Sequence, residues 1–144
     1  MEKEFVPYDL ALRFKARGFD KPCLAVFELI VDGDIIPKFR YNYDSESKWF
    51  EHNRVKDEYD DHDWYWSAPT FSQAFRWFRD KGYDVSFRKY DYGDESVFTG
   101  YYYTIYIGNE TIDLHGADKK SKTYEGCELA CLDKLIEIVE QKEK

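Results

Sequence analysis

The sequence predicts a single α+β domain over residues 1–144, in which about three helices pack on an antiparallel sheet of about four to six strands. Apolar residues recur at helical spacing in three separate segments, and strand-like segments lie between them. Tight-turn residues at Asp32-Gly33 and Gly108-Asn109-Glu110 join neighbouring strands, which makes those strands antiparallel. The predicted order of elements is α-β-β-(β)-α-β-β-β-α.

The first helix and the first strand pair are predicted from the positions of proline and glycine and from the pattern of apolar residues. Pro7 suits the first turn of a helix that runs to about Arg17, and Gly18 is a natural stop. Residues 23–31 are apolar at nearly every position, which is typical of a central strand covered on both faces. Residues 35–43 alternate in polarity, and their Pro37 predicts a strand at a sheet edge or bulge.

The second helix is the most strongly signalled element. Thr70 and Gln73 have the spacing of a capping box directly after Pro69, and Gly82 ends the helix. Four residues share its apolar face, namely Phe71, Ala74, Phe75 and Phe78. Trp77 falls at the edge of that face, so we expect one side of its ring to reach solvent.

The remaining elements are three strands and a long last helix. A short strand is predicted at 64–66, before the second helix. After that helix, strands are predicted over 83–87, with a possible extension to Tyr92, over 98–107 and over 111–115. Thr123 caps a helix that reaches about Gln141. Its wide apolar stripe predicts deep packing and consists of Tyr124, Cys127, Leu129, Cys131, Leu132, Leu135, Ile136, Ile138 and Val139.

Residues 14–20 resemble residues 78–84, since both leave a helix through glycine, an aromatic residue and aspartate. Two α-β-β units, 7–43 and 70–107, are therefore candidates for a duplication. The alternative is that two unrelated helix exits use the same local signals.

Composition excludes several classes of function. Aromatic residues make up 19% of the chain, which excludes a disordered chain of low hydrophobicity. Charged residues make up 35%, so the surface must be densely charged. The formal net charge of −8 disfavours sequence-independent binding to nucleic acid. No apolar segment has the length of a membrane span or the character of a signal peptide, so we expect a cytoplasmic protein with no membrane partner.

The three cysteines do not predict a disulfide framework or a structural zinc site, because their number is odd and no Cys-x-x-Cys pair occurs. Cys127 and Cys131 lie at the centre of the apolar stripe of the last helix. The neighbouring Glu128 and Asp133 have the wrong charge to activate a thiolate. We therefore expect both thiols to act as small apolar side chains.

No phosphate-binding loop, nucleophile elbow or zinc-protease motif is present, so the sequence favours a non-enzymatic protein without a cofactor. The alternative is a small metal-dependent enzyme that uses Asp61, His62, Asp63 and His115. These residue types bind zinc or manganese, but their spacing matches no familiar ligand pattern.

The surplus of large aromatic residues favours a binding surface. The interface candidates are Trp64, Trp66, Trp77, Arg76, Asp60 and Asp61. Exposed tryptophan beside charged residues is typical of protein interfaces, so the expected partner is another protein. A pocket for a nucleotide or a sugar is a further alternative. The structural alternative is that the three indoles seal the second helix against the sheet.

Three segments, 4–12, 68–79 and 123–136, resemble segments of small proteins from gut Bacteroides-type bacteria and their phages. Together they span about a quarter of the chain, and residues 40–66 take no part in the resemblance. Gly126 departs from it, because such proteins carry a better helix former there. The resemblance implies a mobile-element setting and no particular activity.

Overall fold

The computed structural model describes residues 2–19, 21, 23–32, 34–41, 65–90, 100–114 and 121–143. After a 3₁₀ turn at Glu2–Glu4, the elements in chain order are α1 Tyr8–Ala16, β1 Ala25–Asp32, β2 Asp34–Tyr41, β3 Tyr65–Ala68, α2 Phe71–Asp80, β4 Tyr83–Tyr90, β5 Gly100–Ile107, β6 Glu110–Leu114 and α3 Tyr124–Lys142. The predicted α+β class and the predicted order of elements are confirmed.

The chain divides into two compact units, Met1–Ala74 and Phe75–Lys144, and the boundary falls inside α2. Each unit holds one three-stranded antiparallel sheet, whereas the sequence predicted one sheet. Tight turns specify which strands pair within a hairpin, but no local signal specifies how hairpins associate. The single domain over 1–144 and the duplication stay predictions.

The sheet of the first unit has the order β2-β1-β3. β1 is the central strand, as predicted, and β2 with its Pro37 is at an edge. Ala25, Val26 and Phe27 are buried in succession, which requires cover on both faces of the strand. One cluster of this unit's core contains Phe5, Ala11, Ala25, Phe27 and Ala68, with Tyr8 and Phe39 packed against it.

The sheet of the second unit has the order β4-β5-β6, and α3 packs against the central β5. The buried side chains of α3 are Cys127, Cys131, Leu132, Leu135, Ile136 and Val139. Leu129 is 37% exposed and Ile138 is half-buried, so the buried stripe is narrower than the sequence predicted.

The predicted helix caps are present. The Gln73 N–H donates to Thr70 Oγ1 at 3.1 Å, and the Thr70 N–H donates to Gln73 Oε1 at 3.0 Å. This reciprocal pair is a capping box at the start of α2. At the start of α3 the Gly126 N–H donates to Thr123 Oγ1 at 3.0 Å.

The two similar helix exits also share their geometry. Gly18 has a φ of 89° and Gly82 has a φ of 93°, the left-handed conformation that glycine adopts without strain. In the first unit the Phe14 ring packs edge-on against Phe19, with centroids 5.7 Å apart. In the second unit Phe78 and Tyr83 pack in the same way at 6.3 Å. Both candidate explanations, duplication and shared local signals, account for this match.

Candidate functional site

Most of the sequence-predicted site residues lie outside the described part of the chain. Among the interface candidates these are Asp60, Asp61 and Trp64, and among the metal candidates they are Asp61, His62, Asp63 and His115. Trp66 lies in β3 opposite Phe27, but its side chain is outside the described residues. Only Arg76 and Trp77 can be placed with their side chains.

Trp77 does not expose its ring, so the expectation that one side reaches solvent is wrong. Its side chain is only 6% exposed. The ring packs edge-on against Phe78, with centroids 5.1 Å apart, and Lys81 Nζ lies 4.5 Å from the indole centroid. The helical pattern could not show that the ammonium group of a lysine one turn later lies over the ring.

Arg76, the neighbour of Trp77, is exposed as an interface residue requires. The two side chains nevertheless belong to different environments, one in solvent and one in the core. The described residues therefore do not assemble the predicted patch around Trp77.

A different aromatic group in the second unit does reach the surface. Tyr124, the first residue of α3, is 41% exposed. Its ring lies 5.4 Å from Phe87 and 5.6 Å from Tyr101, measured between centroids. Phe87 in turn packs edge-on against the buried Phe75 at 5.5 Å. We call these four residues, Phe75, Phe87, Tyr101 and Tyr124, the aromatic cluster.

Strand register explains why two of these rings share one face. β4 and β5 pair Phe87 with Tyr103 and Lys89 with Tyr101. Paired residues in an antiparallel sheet point to the same face, and so do residues two apart along a strand. Phe87 and Tyr101 are therefore diagonal neighbours on the face that receives α3.

The position of Tyr124 is fixed by the chain that leads into α3. Tyr101 and Ser121 exchange two backbone hydrogen bonds, of 2.8 and 3.1 Å, which attach this chain to the sheet. Two residues later the side chain of Thr123 caps the helix. The strand-like pairing of Ser121 and the helix cap at Thr123 together hold Tyr124 next to Tyr101.

Charged residues neighbour Tyr124 along the chain, and Lys89 pairs with Tyr101 in the sheet. Glu125, Lys122 and Lys89 are exposed and Glu128 is half-buried. Burial raises the pKa of the Tyr124 phenol above its ordinary value, and the nearby Glu128 raises it further. The phenol therefore remains a neutral hydrogen-bond donor at neutral pH, next to a rim of mixed charge.

A second polar group lies beneath α3 and is buried. The Tyr103 hydroxyl donates to Asp113 Oδ2 at 3.4 Å. Burial and the carboxylate of Asp113 raise the pKa of Tyr103, and burial raises the pKa of Cys127 to about 11. Burial also raises the pKa of Cys131. Both thiols are buried and stay protonated at neutral pH, as expected for small apolar side chains in the core.

Within the residues that the structure describes, no three His, Cys, Asp or Glu side chains converge as metal ligands. Within the same ranges, no helix has the length and hydropathy needed to span a membrane.

The sequence missed the aromatic cluster, although the signals for it were present. The deeply packed stripe that the sequence predicts for α3 includes Tyr124, but this residue is 41% exposed, so the prediction is wrong for it. The missing information was that the first turn of α3 lies over Tyr101 and leaves part of the ring uncovered. The Tyr101–Ser121 pairing, which links distant parts of the chain, contributes to this placement.

Comparison of the chain with known protein families, curated proteins and solved structures finds no match to any of them.

Proposed function

We propose that the protein is a non-enzymatic binding module that engages another protein through the aromatic cluster. One observation carries the proposal. Tyr124 is 41% exposed, while Phe87 and Tyr101 pack against its ring. A ring fixed before binding loses little conformational freedom when a partner covers it.

The chemistry of the cluster suits a protein surface as its ligand. Tyrosine is enriched at protein interfaces because its ring supplies apolar contact and its hydroxyl supplies a hydrogen bond. The carboxylate of Glu125 and the amines of Lys122 and Lys89 provide the polar surroundings that interface centres have. The resemblance to small phage and bacterial proteins extends the proposal to an accessory protein of a mobile element, which acts in the cytoplasm.

Affinity capture with matched variants tests the proposed role of the cluster. Wild-type protein, Tyr124→Ala and Leu129→Ala are immobilised and exposed to lysate of a native host, and the affinity of any captured protein is then measured after purification. Leu129 is a suitable control because it is a similarly exposed apolar residue of the same helix. We expect Tyr124→Ala to weaken binding by about thirtyfold or more and Leu129→Ala to change it little.

Equal binding by all three proteins would place the interface elsewhere and contradict the proposal. Arg76→Ala belongs in the same experiment, because the exposed Arg76 is the described member of the interface that the sequence predicted. Loss of binding in that variant alone would move the interface to α2.

The alternatives of a metal-dependent enzyme and of a nucleotide- or sugar-binding protein have direct tests. Elemental analysis of protein purified without a histidine tag would reveal stoichiometric zinc or manganese if Asp61, His62, Asp63 and His115 form a site. Thermal shift assays with nucleotides and with sugars would detect a small-molecule ligand. A positive result in either assay would replace the proposed function.

A further inference from the structure

The edge strand β4 differs from the other sheet edges among the described strands. β2 contains Pro37, which lacks an N–H, and β3 is only four residues long. β6 has five residues, and its pairing with β5 shifts register between Ile105 and Tyr106. β4 has eight residues, all paired with β5 in regular register, and within the described residues it pairs with no other strand. β4 is therefore the edge best suited to accept another strand.

One hydrogen bond shows which backbone groups of β4 face outward. The Val85 N–H donates to Asp84 Oδ1 at 2.9 Å, in an exposed position, and so it does not point to β5. Backbone groups alternate in direction along an antiparallel strand. The N–H and C=O groups of Val85, Phe87 and Lys89 consequently face away from β5.

We infer that β4 is a self-pairing edge, at which two copies of this chain join antiparallel about a two-fold axis through Ser86. In this register Asp84 lies opposite Arg88 of the partner subunit, and the two-fold axis repeats the pair. Val85 lies opposite Phe87 of the partner subunit. The Val85 N–H leaves Asp84 Oδ1 on dimerisation and donates to the partner's Phe87, which frees the Asp84 carboxylate for the partner's Arg88. The axis itself passes through a non-hydrogen-bonded pair of Ser86 residues.

Charge selects this register over its neighbours. Moving the axis to Val85 or to Phe87 keeps the backbone hydrogen bonds but separates Asp84 from the partner's Arg88. Both side chains are exposed, so they can meet across the axis. Charged side chains on an edge strand generally discourage pairing with another chain. The opposite charges at 84 and 88 instead attract a second copy.

Dimerisation through β4 would place two aromatic clusters on one surface. Phe87 belongs to the cluster, and in the dimer two copies of Phe87 lie close to the axis on the same face of a six-stranded sheet. The inference itself rests on β4 and holds whether or not the aromatic cluster binds a partner.

Sedimentation equilibrium on the purified full chain tests the dimer. Wild-type protein should show a concentration-dependent dimer that weakens as salt rises, because the two ion pairs are exposed. Asp84→Arg and Arg88→Asp each create two like-charge contacts, and we expect each to weaken the dimer by about tenfold or more. The double variant Asp84→Arg/Arg88→Asp restores opposite charges and should restore the dimer.

A monomer at all concentrations would overturn the inference. A dimer that neither single reversal weakens would overturn it as well, since it would use another interface.

A disulfide across the axis provides an independent measurement. Cα atoms of a non-hydrogen-bonded antiparallel pair lie about 4.5 Å apart, within the range that a disulfide spans. Ser86→Cys should therefore form a covalent dimer under mild oxidation, while the wild type with its three buried cysteines should not. Thr111→Cys, on the exposed part of β6, is the matched control and should remain monomeric. Equal cross-linking of both variants would show random collision and contradict the proposed register.

Discussion

At the scale of the residue, Trp77 shows how a charged neighbour, Lys81, can cover an aromatic side chain at the edge of an apolar helix face. The buried indole packs on Phe78 and lies beneath Lys81, so Trp77→Ala leaves a large cavity. We expect a loss of about 3–5 kcal/mol in the free energy of unfolding. Arg76→Ala, at the exposed neighbouring position, should change it by less than about 0.5 kcal/mol. Urea denaturation of both variants measures this difference. Equal midpoints for the two variants would show that Trp77 is not part of the core.

The buried titratable groups at Tyr103, Cys127 and Cys131 predict a loss of stability in alkali. Each has a pKa raised by burial in the folded chain. In the unfolded chain the thiols lose protons from about pH 9 and tyrosine from about pH 10, while the folded chain keeps them. The folded state then binds more protons than the unfolded state, so stability falls as pH rises. For Cys127 this contribution is complete below about pH 9 and is lost towards its folded pKa of about 11.

The expected slope is about 1.4 kcal/mol per pH unit for each group that titrates only in the unfolded chain. Urea denaturation between pH 8 and pH 11 or so measures it. Tyr103→Phe keeps the ring and removes one titrating group. Above about pH 10 its free energy of unfolding should therefore fall less steeply with pH, by the slope that one proton contributes. Identical slopes for the wild type and this variant would show that Tyr103 ionises freely in the folded chain.

At the scale of the element, the start of α3 combines a good cap with a poor helix former. A Cβ added at Gly126 would lie 3.0 Å from Thr123 Oγ1, the atom that accepts the Gly126 N–H. Alanine improves helix propensity by about 1 kcal/mol but crowds the cap. We therefore expect Gly126→Ala to gain less than this in the wild type. In Thr123→Ala, which itself costs about 1 kcal/mol, the full gain should appear because the crowding atom is absent.

Thermal denaturation of the two single variants and the double variant measures this coupling between cap and glycine. Strict additivity would mean that Thr123 moves aside without cost. A full gain in the wild type would mean that the contact with Thr123 Oγ1 does not limit the residue at position 126.

The elements were predictable because their signals are local. Thr70 and Gln73 define the start of α2 within four residues, and Gly18 and Gly82 define helix ends by a backbone conformation that few other residues adopt. The division into two sheets was not predictable, because edge-to-edge association of hairpins leaves no local pattern. The exposure of Tyr124 and the burial of Trp77 depend on Tyr101 and Lys81, which meet them through tertiary contacts.

At the scale of the whole molecule, the decisive feature is that α2 belongs to both compact units. Its cap residues Thr70 and Gln73 lie in the first unit, and its buried Phe75, Trp77 and Phe78 lie in the second. Thr70 is also bridged to Phe5, so unfolding of the first unit removes the anchor and the cap of the helix. A ten-residue helix without its cap is marginal by itself.

This shared helix predicts that the two units unfold in one cooperative transition, as expected for a single domain. Native-state hydrogen exchange at Phe27 in β1 and at Ile105 in β5 reports on the two units separately. Thr70→Ala removes the cap of the shared helix and should lower both opening free energies by about 1 kcal/mol. Thr123→Ala removes a cap that belongs only to the second unit. If unfolding is cooperative, it too should lower both values equally, whereas an unchanged value at Phe27 would show that the chain consists of two independently stable domains.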